Sequence, residues 1–163
     1  MHSPLDPHSP IAAWVDESGS NRALDPHTYI LSAAICMAED VEATRDQMRQ
    51  LLLPGKPKVH WRDDEDQRHG KVTATIAECS CVEHLVVIRS AGAPSRSEHR
   101  RRKALELMLF QLTALDVGPV ILESRGRKDG ARDHGLLEHM RVKRHLLGSI
   151  RMDHSPGPAD PML

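Results

Sequence analysis

Aromatic residues are almost missing: two Trp, one Tyr and one Phe make up 2% of the 163 residues. The core must therefore be aliphatic, built from Leu, Val, Ile, Met and Ala. Cysteine is scarce as well. Cys36, Cys79 and Cys81 are too few for a disulfide framework or a paired zinc knuckle, and Cys79-x-Cys81 has neither metal-binding nor redox spacing. No excess of basic charge exists, since 22 Lys and Arg face 23 Asp and Glu for a net charge of -1. Any nucleic-acid binding must come from local patches rather than a global field. No stretch approaches the roughly 20 apolar residues of a membrane span, and the start M-H-S-P-L-D-P-H-S-P lacks the basic and apolar regions of a signal peptide. These absences point to a soluble, cytoplasmic protein without a membrane partner. P-loop, dinucleotide fingerprint and nucleophile elbow are all lacking, which removes support from the main nucleotide-binding and acyl-transfer classes.

What is present fits one domain of ordinary size. Residues 1–10 read as a loose tail, and residues 11–163 as the domain. Ile11 to Val15 is an apolar strand running into Asp16-Glu17-Ser18-Gly19, and Thr28 to Cys36 is a second strand that suits antiparallel pairing with it. Helical spacing follows from Glu39 to the stop at Pro54-Gly55, and again over Asp66 to Cys79. Glu83 to Arg89 reads as a strand. Ser95-x-x-Glu98 resembles a capping box that opens a helix with a stripe at Leu105, Met108, Leu109, Leu112 and Leu115. Val117 to Leu122 predicts another strand, residues 124–133 a mobile basic loop, Leu136 to Met140 a short helix and Leu146 to Met152 a last strand. The final nine residues predict no regular element. Strands alternating with helices predict a mixed α/β sheet flanked by helices.

Three of these strands run directly into an acid: Asp16, Glu123 and Asp153. If they point the same way, the acids converge where ligands bind α/β sheets, beyond the carboxyl ends of parallel strands. Hard oxygen donors without cysteine pairs select Mg or Mn, and two such ions about 3.5–4 Å apart orient an attacking water and steady a leaving phosphodiester oxygen. Glu17 is a weaker candidate ligand beside Asp16, and Asp153 a weak one. His60, in V-H-W-R, has a side chain suited to ligation or proton transfer, or to packing beside Trp61. Arg100, Arg101, Arg102 and Lys103 oppose the dipole of the helix they open, so phosphate contact is one reason for them; Arg125, Arg127 and Lys128 add cations after Glu123. Strand caps, ion pairs with the arginines and a plain solvated charged face are the competing readings.

W-V-D-E-S-G, the following Y-I-L-S-A-A-I, K-V-H-W and L-E-S-R-G together resemble the bacterial domain-of-unknown-function family 3800. The resemblance implies an RNase H-like fold and a metal-dependent nuclease site, with Asp16 as the first-strand acid, Glu17 its neighbour, His60 the histidine before the central helix and Glu123 the later strand-end acid. It also implies a closing helix that supplies another acid, whereas this chain stops at A-D-P-M-L with Asp160 on the approach. The site is accordingly expected to be incomplete at its C-terminal side, and the apolar edge so left is a reason to expect a homodimer. Glu83 to Arg89 carries no acid at its end where the strand beside the first usually has one, so Glu123 is expected to lie one strand too far from Asp16. Two functions follow as expectations: a Mg- or Mn-dependent nuclease acting on nucleic acid, or an inactive nucleic-acid-binding or protein-interaction module with the same fold.

Overall fold

The structure, a computed structural model, describes residues 9–19, 25, 27–59, 66–90, 96–143 and 150–163. His60, the acidic run 63–65 and Ser95 lie outside the described residues.

Five strands form one mixed sheet: β1 (Ile11–Gly19), β2 (Thr28–Met37), β3 (Val82–Ser90), β4 (Pro119–Glu123) and β5 (Arg151–Ser155), in the order β3-β2-β1-β4-β5. The first three run antiparallel, while β4 lies parallel to β1 and β5 parallel to β4. Among the described residues four helices accompany them: α1 (Val41–Arg49), α2 (Asp66–Glu78), α3 (Ser97–Ala114) and α4 (Arg127–Val142).

The period-two alternation of β1 sorts its side chains between two layers. Ala13 and Val15 face the main core, where Leu31, Ala33 and Val120 meet Leu105, Met108, Leu109 and Leu112 of α3 and Leu136, Leu137 and Met140 of α4. Ala12 and Trp14 face a smaller cluster with Cys36 and Val41, against which Ile121, Met162 and Leu163 pack. Chain-terminal residues thus cover the Trp14 face, and α3 and α4 cover the other. The aliphatic core expected from the composition is what is found.

Several boundaries differ from expectation for physical reasons. Strand β1 continues four residues beyond Val15, because Asp16 to Gly19 keep pairing with Ser32 to Tyr29. Residues 124–133 are not a loop throughout: after Gly126, whose φ of 103° suits glycine, α4 begins at Arg127. Its first turns are polar because Asp129 pairs with Arg132 at 2.9 Å and Asp133 turns inward. Helix α3 starts at Ser97 with Arg96 as its N-cap and no side-chain cap bond there. Ser9, assigned to the tail, is buried and donates its hydroxyl to the Asp116 carbonyl at 2.6 Å. Of the strand predicted over Leu146 to Met152, residues 146–149 lie outside the described residues; a strand is observed over Arg151–Ser155, and a short 3-10 turn, Gly157–Ala159, follows it.

Candidate functional site

Parallel pairing of β1 with β4 matches Trp14 to Ile121 and Val15 to Leu122. One residue further, Asp16 and Glu123 leave the ladder on the same face, the face of Trp14 and Ile121. The strand carrying Glu123 is therefore the direct neighbour of β1, not a strand too far, and the acid-free β3 is at the far edge beyond β2. The two carboxyls are close enough for each to bear on the other's ionisation. Burial raises the pKa of Asp16 above the ordinary carboxyl range, and the charge of Glu123 together with its hydrogen bond raises it further; the Glu17 amide, which donates to Asp16 Oδ1 at 2.7 Å, and the Lys58 charge act in the opposite direction. The Lys58 ammonium donates to Glu123 Oε1 at 2.9 Å. Gly157 lies so close to this pair that a Cβ there would overlap Glu123 Oε1.

Glu17 belongs to a different constellation, since the next residue of a strand faces the other side. Its Oε2 accepts from the Tyr29 hydroxyl at 2.8 Å and from Arg101 Nε at 2.7 Å, and its Oε1 forms an ion pair with Arg125 Nε at 2.9 Å. Arg101, 3% exposed, also donates through Nη1 and Nη2 to Asp133 at 2.5 and 2.9 Å. His154 Nε2 lies 3.0 Å from the same Asp133 carboxylate. Burial alone would raise the pKa of Asp133, but hydrogen bonds with His154 and Arg101 and their charges hold it at about 2. A third polar group fastens the chain end: Asp160 accepts from Trp14 Nε1 at 3.0 Å and from Arg45 at 2.6 and 3.1 Å.

Of the residues singled out from sequence, Asp16 and Glu123 are brought together and Glu17 is not. Asp153 lies beside Ile121 on the Asp16 face but on β5, two strands from β1. Among the cations, Arg101 is turned into the buried network and Arg100 is buried, while Arg102 and Lys103 are exposed on α3 in the layer opposite the acidic pair. Arg125, Arg127 and Lys128 follow Glu123 at the carboxyl edge of the parallel strands, with Arg125 also near Glu98 and Asp129 at 3.4 and 3.6 Å. Sequence reasoning misses Lys58, Asp133, His154 and Gly157. K-P-K-V-H-W offers Lys58 as one of two lysines, and nothing in the sequence distinguishes Asp133 from a surface aspartate.

No protein-family model matches the chain, and no curated protein matches it in sequence. Solved structures do. RNase HII of Archaeoglobus fulgidus, in its complex with PCNA, superposes with a TM-score of 0.55 at 13% identity, over 93% of this chain and 66% of that one. Two structures of Bst-RNase HIII, one of a point mutant and one of a complex with Mn2+, give TM-scores of 0.53 and 0.50 at 13% identity, each over 91% of this chain and 46% of that one. The fold is RNase H-like. The chain spans from just under half to just under two thirds of the length of these neighbours. Among the described residues, no helix is long and apolar enough to cross a membrane.

Proposed function

We propose that the chain is a metal-dependent nuclease or related phosphodiesterase of RNase H-like fold and a member of family 3800, with Asp16 and Glu123 as its acidic pair. The observation that carries this reading is their shared position: two neighbouring carboxyls at the carboxyl edge of two adjacent parallel strands. Desolvation first, and the Glu123 charge after it, disfavour the ionised form of Asp16, and a divalent cation would favour it. The donor set fits Mg or Mn, because Mg commonly takes one or two carboxylates and completes its shell with water and substrate phosphate. Among the described residues no group of three or more His, Cys, Asp or Glu is arranged for a metal. Once bound, the cation supplies charge neutralisation and activation of water. Asp16 and Glu123 hold it, His60 assists proton transfer, and Arg125, Arg127 and Lys128 orient the phosphate backbone. Arg100 and Arg101 are buried and take no part in this contact, and the exposed Arg102 and Lys103, across the sheet from the acids, contact nucleic acid only at a distance from the scissile bond.

Cleavage of labelled DNA, RNA and hybrid strands with Mg or Mn, beside Asp16→Asn, tests this. Loss in the variant supports it, and equal activity in both removes it. Lys58 favours a second reading. Its ammonium already neutralises Glu123, so a nucleic-acid-binding module without turnover fits the same fold; it predicts salt-sensitive binding that does not depend on metal.

A further inference from the structure

From the outer edge of the sheet we infer that β3 is an interface for a second copy of this chain, paired antiparallel about a twofold axis at Val86. Strand β3 pairs with β2 along its whole length and has no other strand beside it among the described residues. Edge strands are usually short, bulged or guarded, because their unpaired backbone groups accept another chain. This one is nine residues long, and it exposes Val86 and Ile88 at 54% and 64%.

The choice of partner follows from the order of residues in the strand. Val86 is the midpoint of Val82–Ser90, so an antiparallel copy centred on it matches every residue of the strand. Val86 then meets Val86 of the second copy, His84 meets Ile88, and Leu85 meets Val87. Glu83 meets Arg89. Both of these are exposed, both lie on the same face by alternation, and the twofold axis makes the pair occur twice. A strand whose charges merely guarded the edge would need no such mirror placement of opposite signs about its apolar centre. On the opposite face, that of Arg89, the helix layer adds apolar surface at the same edge: α3 packs over β2 and β3, its Leu107 and Phe110 are 46% and 51% exposed, and Arg89 shares a surface cavity with both. Phe110 is the sole phenylalanine of the chain. Asp16, Ser32 and Val86 are in register across β1, β2 and β3, so the ten-stranded sheet would carry its two acidic sites on one face, about 24 Å apart by strand spacing.

Light scattering and sedimentation of the 163-residue chain over a concentration series test the pairing. A dimer is expected. Val86→Lys sets two ammonium groups against each other at the axis and should abolish it, with the circular dichroism unchanged because the Val86 side chain is exposed. Glu83→Arg and Arg89→Glu should each weaken dimerisation at least about tenfold, and the combined Glu83→Arg/Arg89→Glu chain should recover to within about threefold of the original. A monomer at about 100 μM overturns the inference. So does a dimer indifferent to Val86→Lys, or a charge exchange that does not restore association.

Discussion

Arg101 and Asp133 form a buried two-point ion pair, Nη1 to Oδ1 at 2.5 Å and Nη2 to Oδ2 at 2.9 Å, and the same guanidinium reaches Glu17 on β1 at 2.7 Å. One side chain of α3 thereby ties α4 to the strand that carries Asp16. Removing one partner of such a cluster is costly because the others remain buried as uncompensated charges. Arg101→Met should lower the unfolding free energy by about 3–5 kcal/mol, measured by urea denaturation. Arg101→Lys keeps the charge but loses the planar fork, and should also destabilise, by a smaller amount. A loss below about 1 kcal/mol for Arg101→Met would mean that the network is solvated and replaceable.

Acid should dissolve this network in a defined window. Asp133 is held at about 2, below the ordinary aspartate value of 3.8. A depressed carboxyl pKa adds stability that is complete above the unfolded value and is lost as pH falls through the folded one. The Asp133 contribution to the unfolding free energy, about 2 kcal/mol, should therefore be constant above about pH 5 and be lost between about pH 4 and 2. Asp160, lowered through Arg45, Met162 and Trp14 against its burial, titrates in the same direction. Comparing the pH dependence of the original chain with that of Asp133→Asn checks the assignment, since the variant should lack this part of the acid slope.

Much of the architecture is legible in the sequence because periodicity reports burial. The apolar steps at Ile11 to Val15, Thr28 to Cys36 and Leu105 to Leu112 mark surfaces that must be covered. Asp16 and Glu123 are legible for a related reason, as acids placed where an apolar strand ends. The first half of α4 is not. Its inward residue is Asp133, and a buried aspartate reads as surface until its partner Arg101, 32 residues earlier, is known to face it. Arg101 itself reads as one of four exposed cations for the same reason. Long-range ion pairs invert the rule that polar means outside, and a single sequence holds no mark of them.

Asp16 should respond in the sense opposite to Asp133. Partial desolvation of its carboxyl beside the sheet, followed by the nearby Glu123 charge, raises its pKa although the residue is exposed, so the folded state binds a proton more readily than the unfolded one. Stability contributed by this group is greatest when both forms are protonated and declines as pH rises from 3.8 through the folded value. Asp16→Asn should therefore stabilise the chain near neutrality, by up to about 1 kcal/mol once solvent screening at this exposed residue is allowed for. Thermal melts at pH 7 without divalent metal are the measurement. Mg or Mn should raise the melting temperature of the original chain and not that of the variant. Stabilisation without metal, together with loss of the metal response, is the pattern of a residue kept for binding rather than for folding.

The tightest approach to the acidic pair comes from backbone rather than from a side chain, and it makes Gly157 the last testable position. Gly157 is buried, and a Cβ there would overlap Glu123 Oε1 and lie 3.2 Å from the Lys58 ammonium. The requirement is close approach, not a left-handed backbone, because Gly55 and Gly126 are the glycines with positive φ among the described residues. Gly157→Ala must displace either the Glu123 carboxylate or the turn Gly157–Ala159, and overpacking of this kind costs about 1–3 kcal/mol. Gly118→Ala is the fitting control. Its Cβ would meet Ser9 Cβ at 2.7 Å, at the opposite end of β4 from Glu123, so it strains the chain without touching the acids. Both substitutions should lower the urea midpoint, but Gly157→Ala alone should also weaken the metal-induced rise in melting temperature. An equal metal response in the two variants would show that Gly157 serves packing only, and that the turn does not set where Glu123 points.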